Sequence, residues 1–250
     1  MRNSLPVQLC CHSGGIVLGM IIAKYQEQGT IRVTGSGESM IVITGAGTGA
    51  GSRAAECLLA RDQDVRIVGW SPDNLKWLGA QGAEILAGDQ SNEHFLTKAF
   101  AGAEAVCLIV PGKPGEDIQV DCYTKSIEAA VGAISKSSVR KVVFLSSQIL
   151  EPNARTVAMP GIKDIERKLI TLENIDVVIL RAGYVLENVF DYREHFTPPR
   201  FFENDLSPEP PINMATSMEI GEKIAELIET PVTIGNSVVN FAGEKWLCYF

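Results

Sequence analysis

The plainest chemistry in the chain is written in glycine. Thr44-Gly45-Ala46-Gly47-Thr48-Gly49-Ala50-Gly51 follows an apolar run, Met40 to Ile43, and precedes a helical pattern from Ser52 to Arg61. Glycines at a strand-to-helix turn let the backbone bend sharply and let a pyrophosphate approach main-chain N–H groups. The helix start adds unsatisfied amides and a partial positive charge. These residues in this setting predict a dinucleotide site on Gly45, Gly47, Thr48, Gly49, Ala50 and Gly51.

Neighbouring positions bear on which dinucleotide. The end of the second strand reads Gly69-Trp70-Ser71, without the carboxylate that usually holds the ribose hydroxyls of NAD; Asp73 lies slightly beyond. Arg53, one turn into the helix, is placed to meet a 2′-phosphate. This leans to NADP, with NAD as the alternative. Trp70 covers the adenine or simply packs, Ser71 borders the ribose, and Asp89 is placed to touch the adenine rim. Pro111 ends the fourth strand, where such cofactors are lined.

Other chemistries lack anchors. Cys10, Cys11, Cys57, Cys107, Cys122 and Cys248 form no C-x-x-C and no zinc-like spacing with His12, His94 or His195. No metal site is expected, and scattered thiols point to a reducing, cytoplasmic setting. The histidines offer no anchor for a catalytic triad. With 22 basic and 30 acidic residues, the net charge of −8 argues against direct nucleic-acid binding. No run of 18 apolar residues predicts a membrane span.

The elements that must position the glycine turn alternate. Strands are expected at 40–43, 65–68, 83–86, 105–110, 141–145 and 176–180, with helices at 52–61, 74–81, 93–100, 117–135 and 162–172 between them. The strands are nearly all apolar, which demands a parallel sheet covered on both faces. The expected fold is α/β, a doubly wound, mostly parallel, Rossmann-like sheet over 40–187. Residues 1–39 read as a poorly ordered extension. Residues 188–250, with Pro198-Pro199, Pro208 and Pro210-Pro211, read as a small substrate-binding part with a helix at 218–229 and a strand near 238–241. Truncation is one reading of its brevity.

Three further segments match a known pattern: Leu108-Ile109-Val110-Pro111, Val139 to Ser147, and Leu180-Arg181-Ala182-Gly183-Tyr184-Val185-Leu186-Glu187-Asn188. Together with the glycine turn, from about Met40 to Lys245, the chain resembles the atypical short-chain dehydrogenase/reductases, and within them the NmrA-like proteins. Thr48 stands where that family's middle glycine is expected, and Ala182 replaces a proline. The resemblance implies a Ser–Tyr–Lys set. Ser146 or Ser147 fills the serine place and Lys163 the lysine place, but Met159 stands for the tyrosine. A thioether cannot move a proton, and a general acid typically contributes about 10²–10⁴ in rate. The family's reductases of plant phenolics use a lysine in K-x-x-I-x-R instead, partly kept in Lys163-Asp164-Ile165-Glu166-Arg167. The expectation is an NADPH-dependent reductase of a small carbonyl, quinone or enone. Lys163 would hold the ribose or supply a proton, and Ser146 or Ser147 would orient the substrate. The alternative is a non-catalytic NAD(P)-sensing regulatory protein; a sugar-nucleotide epimerase ranks third. A homodimer through the 117–135 helix, or a regulatory protein partner, is the expected assembly.

Overall fold

The computed structural model describes residues 40–47, 49–110, 120–148, 159–187 and 213–243, with side chains given from 124 and 162 onward in the third and fourth stretches. The expectations placed on 1–39, Thr48 and Pro111 lie outside the described residues.

Strand and helix alternate as the apolar pattern demands. In order they are β1 (Met40–Thr44), α1 (Gly49–Leu59), β2 (Val65–Gly69), α2 (Lys76–Gly79), β3 (Glu84–Ala87), α3 (Glu93–Ala99), β4 (Ala103–Leu108), α4 (Val120–Ser135), β5 (Lys141–Ser147), α5 (Met159–Leu169), β6 (Asp176–Ala182), β7 (Tyr184–Val185), β8 (Met214–Ala215), α6 (Ser217–Glu229) and β9 (Gly235–Phe241). Seven strands form one sheet in the order β3-β2-β1-β4-β5-β6-β9, and every pairing is parallel. The chain builds one half outward from β1 and then reverses to build the other from β4. Loops at the carboxyl ends of β1 and β4 therefore diverge and open a crevice.

Side chains alternate between the two faces of each strand. Ile41, Ile43, Ile67, Val143 and Leu180 face α1, α2 and α6. Val42, Val68, Val106, Phe144 and Ile179 face α3, α4 and α5. At the amino ends of β5 and β6 the sheet buries an ion pair. Lys141 Nζ lies 3.4 Å from Asp176 Oδ2 and donates to the Thr230 carbonyl at 2.5 Å, so the end of α6 is tied to the sheet. Two short strands, β7 and β8, form a separate parallel pair that the sequence pattern did not suggest.

α1 and α6 pack with almost no room between their backbones. A Cβ on Gly221 would fall 2.8 Å from the Ala50 carbonyl and 2.5 Å from Arg53 Cβ. Overpacking such a contact typically costs about 1–3 kcal/mol. Gly221→Leu is expected to lower unfolding free energy by about that amount, read as a reduced urea midpoint at unchanged m-value.

Candidate dinucleotide site

The glycine turn sits where β1 ends and is fixed to β4 by a hydroxyl. Thr44, fully buried, donates from Oγ1 to the Ile109 carbonyl at 2.8 Å and accepts from the Ile109 N–H at 2.8 Å. Gly45 takes φ +64°, and a Cβ there would meet Ile109 Cγ2 at 2.9 Å. The closest approach is at Gly51, where a Cβ would stand 2.6 Å from the Gly45 carbonyl oxygen. Gly49, φ +62°, opens α1. Among the described residues, a Cβ on Gly47 would meet only Asn74 Cβ, at 3.8 Å.

The charges at the helix ends differ. The first turn of α1 carries no acidic side chain. α6, which starts beside it with Ser217 Cβ 3.8 Å from the Gly49 Cβ position, is filled by two carboxylates. Thr216 and Glu219 form a capping box. Glu187 accepts from the Ser217 N–H at 2.9 and 3.0 Å and from its hydroxyl at 2.7 Å. A helix start presents orphan N–H groups and positive potential. Those of α6 are occupied from within the chain, whereas the α1 start has no carboxylate of its own. This arrangement fits a pyrophosphate at the glycine turn.

The region past β2 and β3, where adenosine is expected, also fits a ligand rich in acceptors. Trp70 Nε1 and Gln90 Nε2, just past β2 and β3, are buried donors without partners. Buried donors normally have acceptors. Gln90 was not singled out in the sequence; only its place after the third strand could have pointed to it. Asp89 is exposed and turned onto its own loop, accepting from the Ser91 N–H at 2.8 Å and Oγ at 2.7 Å. Ser71 Oγ accepts from the Asp73 N–H at 3.3 Å. Asp73 pairs with Lys76 at 2.6 Å, which holds its carboxyl below the usual range.

The Arg53 guanidinium lies against α6, 2.5 Å from Glu222 Oε1 and 3.5 Å from Glu56 Oε2. The hydrogen bond to Glu222 raises its pKa further. In this structure the guanidinium contributes to the α1–α6 contact, while its Nε is buried without a partner among the described residues.

Toward β5 the expected site residues separate. Ser146 is buried on the α5 face and donates to Glu166 Oε1 at 2.6 Å. Arg181 grips the same carboxylate with two bonds, 3.0 and 2.5 Å. In this structure the Ser146 hydroxyl is engaged with Glu166. Ser147 follows on the opposite face of the strand, half-buried. Lys163 is exposed on α5 and lines a cavity of about 830 Å³ with Gln148, Glu166 and Arg181. Met159 opens α5, but its side chain lies outside the described residues. The segment Leu180 to Glu187 also gains a reason. A Cβ on Gly183 would lie 2.5 Å from the Asn213 carbonyl, where β8 approaches. Among the described residues, no cluster of His, Cys, Asp and Glu could hold a metal, and no helix is long and apolar enough to cross a membrane.

Comparison with known proteins agrees with this geometry. Residues 45–189, more than half of the chain, match the model of an NAD(P)H-binding family. A search of curated proteins finds no match. Solved structures share the fold. A nucleoside-diphosphate-sugar epimerase from Staphylococcus aureus superposes with TM-score 0.66 at 21% identity, covering 81% of this chain and 71% of its own. The triphenylmethane reductase of Citrobacter sp., complexed with NADP(H), gives 0.64 at 19% identity, covering 84% and 72%. An anaerobillin reductase from Escherichia coli O157:H7 gives 0.61 at 16% identity, covering 84% and 100%.

Gly47 supplies a test that spares the fold. Gly47→Val is expected to leave the urea midpoint unchanged yet weaken NADPH binding by calorimetry about tenfold or more, some 1.4 kcal/mol.

Proposed function

We propose, from the premise that this chain belongs to the NAD(P)H-binding family, that it is an NADPH-dependent reductase of a small carbonyl, quinone or enone. The observation that carries the reading is a juxtaposition at the carboxyl end of the sheet. A glycine turn open to a pyrophosphate ends β1, and the Lys163 cavity begins at the end of β5, two strands away. NADPH, when bound, supplies a hydride.

The chain's own residues support three tasks. The α1 start and the glycine turn hold the pyrophosphate. Trp70 Nε1, Ser71 Oγ, Lys76 Nζ and Gln90 Nε2 offer donors at the adenosine end, where a 2′-phosphate has only acceptors. Asp73 is paired with Lys76 in the open, so the lean to NADP rests on the donors of this region. Lys163, with no ion pair among the described residues, is the group able to give a proton to the substrate oxygen as the carbon takes the hydride. A cytoplasmic location fits the buried, reduced Cys107, whose thiol pKa burial pushes up.

One observation favours a second reading, a non-catalytic sensor of the dinucleotide. Ser146 is engaged with Glu166 and Met159 stands at the place of the usual acid, with Ser147 and Lys163 the remaining members of the customary set. The two readings separate on turnover. Wild-type protein is expected to bind NADPH more tightly than NADH and to oxidise it with menadione, cinnamaldehyde or methyl vinyl ketone. Lys163→Met is expected to lower kcat by about 10²-fold or more. NADPH binding without turnover on any of the three would leave the sensor.

A further inference from the structure

From Lys163 a groove runs down the outer side of α5, between that helix and β9. Among the described residues it is lined by Lys163 and Arg167 of α5, by Ile170 just past that helix, by Arg181 of β6, and by Val238 and Asn240 of β9. Gln148 and Asn213 close its upper end. We propose that this groove binds an elongated organic anion, a carboxylate on a flat apolar body bearing a hydrogen-bond donor.

The charge balance points to the anion. The chain as a whole carries −8. Among the described residues this groove instead gathers Lys163, Arg167 and Arg181 against one lining carboxylate, Glu166, and one flanking carboxylate, Asp164, a surplus of one cation. A cleft of one sign focuses potential and concentrates ligands of the other. The cations are available in different degrees. Lys163 has no ion pair among the described residues. Arg167 is paired only with Asp164 at 2.9 Å, in the open, where such a bond is weak. Arg181 uses Nε and Nη2 on Glu166 and keeps about a third of its side chain exposed.

The remaining lining fixes the rest of the ligand. Ile170 and Val238, 43% and 52% exposed, give the groove its apolar wall. At the upper end Asn213 donates to Gln148 Oε1 at 2.9 Å, while its own Oδ1 is buried without a partner. An unpaired acceptor there asks for a hydroxyl or amide N–H. The volume, about 830 Å³, lies within the range of small-molecule sites. The inference rests on the reductase reading for direction only: the reducible carbon belongs at the Lys163 end.

The test uses 6-hydroxy-2-naphthoate and its uncharged methyl ester, titrated calorimetrically into the full chain, with NADPH titrated into the same preparations. The naphthoate is expected to bind at least tenfold more tightly than the ester, and to weaken as salt rises. Arg167→Gln should weaken it several-fold and Val238→Asp about tenfold, with NADPH affinity unchanged; both residues are exposed, so the fold is spared. Equal binding of acid and ester, or binding indifferent to both substitutions, would overturn the proposal. So would absent naphthoate binding in protein that binds NADPH. Sedimentation that reveals a dimer split by Val238→Asp, with no naphthoate bound, would assign the groove to a second copy and also overturn it. If the naphthoate binds as expected but NADPH does not, the groove stands and the reductase reading fails.

Discussion

One contact between two stretches of backbone governs the site. Gly51, in the first turn of α1, lies so near the Gly45 carbonyl that a single methyl would stand 2.6 Å from its oxygen. Only glycine lets the helix start this close to the strand it follows. Thr44 then fastens the turn to β4 through both bonds of its hydroxyl. The switch point is thus held by close backbone approach at Gly45 and Gly51 and by one buried side-chain hydroxyl, that of Thr44.

Charge placement follows from the same constraint. Two helices begin side by side, which would concentrate positive potential. The chain fills one start and leaves the other without a carboxylate. Glu187 and Glu219 satisfy α6, and Asn92 caps α3 through the Phe95 N–H. The first turn of α1 has no acidic residue. A chain with an excess of acids has kept them away from one helix start while supplying them to its neighbour. A pyrophosphate at the α1 start would meet no acidic side chain in that helix's own first turn. The same economy shows on α5, where Glu166 is absorbed by Ser146 and Arg181 and the remaining cations line the groove.

Much of this was legible because it is local. Apolar four- to six-residue runs broken by glycine gave the strands of the parallel sheet, and the glycine turn was evident from its place between Ile43 and Ser52. α1 starts earlier than its apolar pattern, at Gly49, because the turn itself winds into the helix. What could not be read depends on partners far along the chain. Arg53 points at Glu222, 169 residues away, so no local pattern gives its direction. Ser146 and Ser147 look equivalent in sequence; strand alternation and Glu166, twenty residues on, separate them. β7 and β8 have two residues each, too few for any periodicity to register. Gln90 carries no sequence signal of its own, and burial alone marks it.

The central claim is that main-chain amides at the start of α1 receive a dinucleotide pyrophosphate. It is tested most directly by following the backbone ¹⁵N–¹H resonances of Gly45, Gly47, Gly49, Ala50 and Gly51 while NADPH is added. The account predicts saturable shifts concentrated on these five amides, with those at the start of α6, Ser217 and Met218, moving little. Saturable binding that leaves the five amides unmoved would contradict it, as would no binding at millimolar NADPH.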